Sequence, residues 1–544
     1  MSKKEIIVLP PKYYLDYFTF LLEFVQSKSG HLLGNVGETF ISDFSKLSED
    51  AKCLLVRFAN RKGAYFRLSK IKYEEISNVG LAAEELIENE FASLDLPNDP
   101  RLFRLFTKAE LAKIFPEREL EKKKKDKFLP ELAEEAQLVN YQKLAAFDTV
   151  IHTLRLEEID FLKLLFFGHN HGMMTEFVIR DIGNVKLENL DDHDFTPWFD
   201  SHEEALAVFE LSKLNSLIKE YMSIALPEEL LEAIAPINWS SMINFKNARK
   251  SGDRIMLRLG AYFEKAGFPE EALSYFALAK KHPCRERQIR IYQKLDRSDD
   301  ALDLAEAVYE NPYNATEKIF AKDFIAKVGK RNLRSTTNRI KLSDEITVSS
   351  SGSQRVEDKA LDYLREMGYD GIHAENHLWR SIFGLLFWEE LFDSSQTAFH
   401  HPLQRAPSDL YSSAFYETRK DVLNQKLRTL STKKKLLDKL IFTHTEKQGI
   451  NNPLVGWSDS LISVIEVCIR LLPLSGIKKV MIEVAKNVKD NSTGFPDLFI
   501  WTETKYQFYE VKSPNDYLSS QQLFWLDFFK EHKIKSEILR VHYS

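Results

Sequence analysis

Two carboxylates and an amine near the C-terminus are spaced for work on a phosphodiester. Asp497 opens the segment DLFIWT (497–502), and Glu510-Val511-Lys512 closes YQFYEVK (506–512). Both segments are rich in β-branched and aromatic residues and read as adjacent strands. In a hairpin-like pair, Asp497 at the start of one strand and Glu510, thirteen positions on, near the end of the next can meet at one sheet edge. They would there offer two carboxylates to a hard divalent cation. Period-2 alternation points Lys512 to the same face as Glu510, while Val511 points into the core with its carbonyl free to complete a coordination sphere. A metal beside an ammonium group suits phosphodiester hydrolysis. The metal polarises the phosphoryl oxygen and lowers the pKa of bound water, and the lysine positions or activates that water. The same spacing is also that of a plain surface salt bridge between Glu510 and Lys512.

These residues need a sheet beneath them. VMIEVAKNV (480–488) reads as a further strand and a helical pattern at 519–531 follows, which together predict a small α/β unit with a central sheet after residue 433. Upstream the periodicity is helical, as in Tyr14, Leu15, Phe18, Leu21, Leu22 and Val25. LLVRFANRKGAYFRLSKIKY (54–73) carries Arg57, Arg61, Lys62, Arg67, Lys70 and Lys72 interleaved with Phe58, Tyr65 and Phe66. That mix suits phosphate contact and base stacking, and equally a solvated basic face. Between 100 and 136, two short helices joined by a turn would present the lysine run Lys122, Lys123, Lys124 and Lys125. EEALSYFALAKKHP (270–283) and DDALDLAEAVYENP (299–312) form a weak repeat 29 residues apart. Leu259, Gly260, Phe263, Ala272, Phe276 and Ala279 fall at the small and large positions of a tetratricopeptide-like helix pair, as core and not chemistry. The polar stretch from about 332 to 358 reads as a loop-rich connection.

Composition bounds the rest. The 544 residues allow roughly three or four domains. A net charge of −6 means that any nucleic-acid surface must be local. Cys53, Cys284 and Cys468 are too few and scattered for a disulfide framework or a cysteine-ligated metal, which fits a reducing compartment. Neither a signal peptide nor a run of about 18 apolar residues is present, so secretion and membrane insertion are not indicated.

TGFPDLFIW and EVKSPNDYLSSQQLFWLDFF resemble the signatures of the VRR-NUC nucleases, a branch of the PD-(D/E)XK superfamily, through Gly494, Pro496, Asp497, Glu510, Val511, Lys512, Pro514, Asp516, Leu518, Ser519, Gln522 and Trp525. Within that group the chain resembles the FAN1-type (Fanconi-associated nuclease) DNA-repair enzymes. GIHAENHLWRSIFGLLFWEELF (371–392), HPLQRAPSDLYSSAFYETR (401–419), FFGHNHGMMTEFVIRDIG (166–183) and the basic segment at 54–76 all look like family segments. The resemblance therefore covers most of the chain.

It implies a multidomain, mainly α-helical protein. The expected divisions are an N-terminal helical DNA-binding domain (1–98), a SAP-like module with connecting helices (99–200), tetratricopeptide-like repeats (201–345) and a nuclease region (346–544). The α/β PD-(D/E)XK-type core of that region would lie at about 433–544. Glu375 enters through the resemblance alone, as a third acidic ligand. Glu375, Asp497, Glu510 and the Val511 carbonyl would hold Mg²⁺ or Mn²⁺ through oxygen only, with His373 and His377 as ordinary surface or helix-end residues. Lys512 would orient the water and Gln522 support the site. Arg57, Arg61, Lys62, Arg67, Lys70, Lys122, Lys123, Lys124 and Lys489 are the candidate DNA contacts. The chain departs from the family at Ser513, Tyr517 and Gln521, where Gly, Arg and a basic residue are usual, which puts phosphate contacts from that helix in doubt.

The implied activity is metal-dependent 5′-flap endonuclease with 5′-to-3′ exonuclease action in interstrand cross-link repair. A noncatalytic branched-DNA scaffold and a four-way junction resolvase are the alternatives. Expected partners are branched or 5′-flap DNA, with a homodimer on DNA left open. No Cys/His cluster for a ubiquitin-binding zinc finger is seen. The expected location is a bacterial cytoplasm, at the nucleoid, or the nucleus if the source is eukaryotic.

Overall fold

The computed structural model describes residues 9–97, 99–118, 120, 124, 129, 132, 138–169, 175–183, 185–190, 195–331, 333–341, 343–349, 353–396 and 398–544. The chain divides into two compact units, Met1–Asn184 with Pro197–Ser212, and Val185–Thr196 with Lys213–Ser544.

The first unit is helical around a small sheet. Helix Tyr13–Ser29 buries Tyr14, Leu15, Phe18, Leu21, Leu22 and Val25, the face that the periodicity predicts. Strands β1 (Tyr65–Arg67), β2 (Ala92–Ser93) and β3 (Val150–Thr153) pair antiparallel in the order β1-β3-β2. Arg67 locks this sheet to helix Lys108–Ile114: its guanidinium donates to both oxygens of Glu110 at 2.8 and 2.9 Å and to Asp148 at 2.7 Å. Glu110 also accepts from the Thr107 amide in a capping box, and Arg67 holds its carboxyl down at about 2. With its side chain only 6% exposed, Arg67 is committed to protein acceptors. The expectation that it contacts DNA phosphate is corrected on that ground. Lys122 and Lys123 lie outside the described residues, and Lys124 is exposed.

The second unit begins with helical hairpins. Helices α1 (Arg249–Ala266) and α2 (Pro269–Leu278) form one pair, and α3 (Cys284–Lys294) and α4 (Ser298–Glu310) the next. The sequence repeat falls on α2 and α4. Gly260 lets the first pair close: a Cβ there would meet the Phe276 ring at 2.7 Å. Leu259, Phe263, Ala272, Phe276 and Ala279 are all buried, as expected of core.

The nuclease region is built on a five-stranded sheet, β4 (Asp344–Val348), β8 (Ser536–Tyr543), β7 (Tyr506–Lys512), β6 (Leu498–Trp501) and β5 (Asp370–His373), in that order. β4, β8 and β7 run parallel, and β6 pairs antiparallel with both β7 and β5. Helix α5 (Val356–Glu366) covers one face, packing Ala360, Leu361 and Leu364 with Leu498, Ile500, Val511 and Leu539. The other face carries Phe499 and Phe508 into a core with Trp379, Trp525 and Phe529. Helix α6 (His377–Leu386) brings Trp379 to that core, and α9 (Ser520–Glu531), the helix expected at 519–531, brings Trp525 and Phe529.

Two expectations fail. Residues 480–488 are not a strand: most of them lie in helix α7 (Leu474–Lys486), which buries Ile477, Val480, Met481, Val484 and Ala485 at helical spacing. The β-branched content that suggested a strand serves a helix buried on one side. The polar stretch at 332–358 is not simply a connection either, because it supplies β4, which gains its backbone partners from the C-terminal strand β8. The sheet thus draws on residues well before 433.

Arg67→Met should lower the stability of the first unit by about 3 kcal/mol, because it strands Glu110 and Asp148 in partial burial. Calorimetric unfolding would show the loss. Wild-type melting combined with weakened DNA binding would instead return Arg67 to the DNA-contact set.

Candidate active site

Strand pairing sets the geometry. The β6–β7 register pairs Leu498 with Tyr509, so one step further Asp497 stands opposite Glu510. On its other side β6 meets β5, and the Asp497 carbonyl accepts from the amides of Ala374 (2.8 Å) and Glu375 (3.1 Å). Glu375 takes a φ of +30°, unusual for a residue with a side chain, where the chain leaves β5 and turns into α6. Asp497 Oδ2 accepts the Val511 amide at 2.8 Å. Lys512 Nζ lies 2.8 Å from Glu510 Oε1 and donates to Gln522 Oε1 at 3.1 Å.

Gln522 holds the lysine because of where α9 starts. It is the third residue of a capping box in which the Ser519 hydroxyl accepts its amide and its Oε1 accepts the Ser519 amide at 2.9 Å. The loop before Asp497 is pressed against the same helix end. Gly494 has φ +80°, and a Cβ there would meet the Gln521 side chain at 2.7 Å. Phe495 stacks on Trp525 with ring centroids 4.2 Å apart, and Trp525 Nε1 donates to the Thr493 carbonyl at 3.0 Å. The signature Gly, Gln and Trp therefore act on the site by fixing the loop and helix that flank it.

The electrostatics are those of a site prepared for a cation. Glu510 is 1% exposed, and its Oε2 has no hydrogen-bond partner. Burial first, and then Asp497, push its carboxyl up to about 8, with Lys512 pulling the other way. Burial raises Asp497 to about 6, against the Val511 amide and Lys512. Glu357, in the first turn of α5, adds negative potential at both carboxyls, and Glu375 adds it at Asp497. Glu357 was not found in the sequence, where an acidic residue opening an amphipathic helix looks like ordinary helix-end chemistry.

A buried carboxylate oxygen without a partner, beside a second carboxyl, fits a hard divalent ion. Among the described residues no three His, Cys, Asp or Glu side chains already converge as a ligand set. The chain thus brings together Asp497, Glu510, Val511, Lys512 and Gln522, with Glu375 joined through its backbone.

The same unit holds a basic cluster. Lys489, exposed on the short helix α8 (Val488–Asn491), lies close enough to Lys281 for its charge to act on that amine. Burial, then Lys489 and Arg254, lower the Lys281 amine, and burial, then Arg254 and Lys489, lower Lys250. Lys250, Arg254 and Lys489 are exposed and Lys281 is half-buried, so these like charges form a basic patch that would attract an anion such as phosphate. Lys250, Arg254 and Lys281 were missed because they lie far from Lys489 in sequence. In the first unit, Arg57 bonds Glu75 at 2.9 Å and lies over the Tyr14 ring, while Arg61, Lys62 and Lys70 are exposed.

Comparison with known proteins gives two family matches, "FAN1, HTH domain" over residues 12–93 and "VRR-NUC domain" over 432–543. The chain is 27% identical to a Fanconi-associated nuclease 1 homolog of Pseudomonas aeruginosa, over 98% of this chain and 96% of that one. It is 31% identical to human Fanconi-associated nuclease 1 over 31% of this chain and 18% of the human protein. A crystal structure of paFAN1 bound to DNA with a two-nucleotide 5′ flap and a gap superposes with a TM-score of 0.85 at 23% identity, covering 99% of each chain. A second, with a one-nucleotide flap, superposes equally at 25% identity.

The raised carboxyls have a consequence that needs no substrate. Between the unfolded value near 4.5 and the folded value near 8, the folded chain keeps a proton on Glu510 that the unfolded chain releases, so stability falls as pH rises through that window. In EDTA, Glu510→Gln should therefore melt above wild type at about pH 8 and lose that advantage near pH 5. Adding Mn²⁺ should raise the wild-type melting temperature by about 2 °C or more, but not that of Glu510→Gln. Equal melting of the two proteins at every pH would show that Glu510 is not strained by burial.

Proposed function

Because the chain belongs to the FAN1-type family of VRR-NUC nucleases, we propose that it cleaves 5′-flap DNA at Asp497, Glu510 and Lys512. It is a structure-selective, metal-dependent DNA-repair nuclease. The observation that carries the residue assignment is the buried Glu510 carboxyl opposite the half-buried Asp497, with Lys512 beside it.

Asp497 and Glu510 would hold the metal, with Glu375 and the Val511 carbonyl as further oxygen ligands. Oxygen-only donors favour Mg²⁺ or Mn²⁺. The bound ion supplies Lewis acidity at the phosphoryl oxygen and a lowered pKa for water. The Val511 amide donates to Asp497 Oδ2 and so fixes the rotation of that carboxyl. Lys512 has three donors and two protein partners, which leaves one N–H to orient the attacking water or to stabilise charge on the transition state. Gln522 keeps the ammonium at that position. A noncatalytic scaffold would have no use for a carboxyl buried against its own solvation beside a second, half-buried one.

Lys489 with Lys281, Lys250 and Arg254 anchors a DNA phosphate beside the site, and Arg61, Lys62 and Lys70 contact the duplex. The 5′-flap preference is carried over from the DNA bound to paFAN1 in the structures this chain resembles. The accompanying 5′-to-3′ exonuclease action, cross-link repair and a nucleoid location complete the reading. No helix among the described residues is long and apolar enough to cross a membrane.

The test is cleavage of end-labelled 5′-flap, 3′-flap, four-way junction and duplex DNA with Mg²⁺, Mn²⁺ or EDTA. Wild type should cut the 5′ flap preferentially, and Asp497→Asn should lose about 10³-fold in kcat with flap affinity within a few-fold. Residual cutting at wild-type rate would remove Asp497 from the site. Lys281→Glu with Lys489→Glu should raise KM and reduce the salt dependence of binding by about one to two units of slope. An unchanged slope would place the phosphate contacts elsewhere.

A further inference from the structure

Tyr517 is the most exposed large hydrophobic side chain among the described residues, at 88%, and it lies in the loop that joins Lys512 to α9. That loop is fixed at several points. The Ser513 amide donates to Asp516 Oδ2 at 2.7 Å, and the Asp516 amide donates to the Ser513 carbonyl at 3.1 Å. Immediately after Tyr517, Leu518 is buried with Leu523, Leu526 and Ile538, and Ser519 caps α9. The ring is therefore held outward by a closed turn on one side and an anchored leucine on the other. Nothing among the described residues covers it, although an exposed aromatic ring gains by finding a flat apolar partner. Five residues reach at most about 17 Å from Lys512 even when fully extended, and the Ser513–Asp516 turn shortens that span. The ring thus stands within a few nucleotides of the scissile phosphate.

We propose that Tyr517 is a positioning residue that stacks on a base next to the cut and holds the strand in register with Asp497 and Lys512. The proposal rests on the nuclease reading above and deepens it. A ring at this position carries no charge to draw in phosphate, so the strand is gripped here by its bases, whereas the cluster around Lys489 attracts its phosphates. Stacking on a ring is indifferent to base identity, as a structure-selective enzyme requires. The exposed position means that substitution does not disturb packing.

The experiment places 2-aminopurine in turn on either side of the cut in a 5′-flap duplex and compares wild type, Tyr517→Phe and Tyr517→Ala. Binding is read by fluorescence in EDTA, and cleavage with Mn²⁺. At one position, wild type and Tyr517→Phe should quench the probe and Tyr517→Ala should not. Tyr517→Ala should raise KM roughly tenfold with kcat within about twofold. An abasic site at the same position should bring wild type down to the alanine variant. Quenching and cutting by Tyr517→Ala at wild-type level would overturn the proposal. So would a Tyr517→Phe protein that behaves like alanine, since the hydroxyl and not the ring would then be responsible. A wild type that quenches but cuts no flap overturns the nuclease reading and leaves the stacking assignment standing.

Discussion

Burial of the Glu510 carboxyl is the constraint around which the nuclease region is organised. An isolated carboxylate taken out of water is expensive, and one ammonium does not fully offset that cost, as the upward shift of Glu510 shows. The site tolerates this because its frame is rigid. Trp379, Trp525, Phe499, Phe508 and Phe529 fill the sheet face below the acids, and the paired strands fix Asp497 and Glu510 opposite one another. A softer frame would let the carboxyls turn toward water or let water reach them. A divalent ion bound between these carboxyls would relieve that unfavourable burial, so under the proposed metal assignment rigidity and metal affinity would have a common source.

Support for Lys512 shows how local sequence chemistry reaches the site. The capping box at Ser519 and Gln522 is a helix-start device, worth about 1 kcal/mol to a helix. Here the same Gln522 oxygen also receives the lysine ammonium, so the helix start is simultaneously the lysine's rest. Gly494 is needed because a Cβ would strike Gln521, one residue from that contact. Glycine, serine, glutamine and tryptophan of the signature thus converge on one mechanical task.

What could be read from the sequence follows the range of the interactions. The strands at 497–502 and 506–512, the helix at 519–531 and the meeting of Asp497 with Glu510 depend on alternation and a short turn, both of which are local. The small and large positions of α1 and α2 were legible for the same reason. The segment 480–488 was misread because β-branched residues serve a buried helix face as readily as a strand. β4 was invisible because its partner β8 lies almost two hundred residues away. Arg67 looked like a DNA contact among other basic residues, and only tertiary structure brings Glu110 and Asp148 to it. Lys281 and Lys250 were missed through the same kind of distance. A cation's role is fixed by the charges folding places around it, and composition does not contain that information.

In a mildly acidic chain a surface for a polyanion has to be local, with cations segregated from carboxyls. Lys489 and Asp497 are eight residues apart, yet the first belongs to a cluster of cations and the second to a group of carboxyls. The short helix α8 and the loop through Gly494 separate them, and Asn314 on the helical repeats bonds Asp490 of α8 at 3.5 Å. The repeats therefore do more than extend the chain. Through α1 and Lys281 they contribute the cations that Lys489 alone would lack, and through Asn314 they hold α8 in place. A nuclease sheet without these repeats would keep its acids and lose the cations that Lys250, Arg254 and Lys281 place near Lys489.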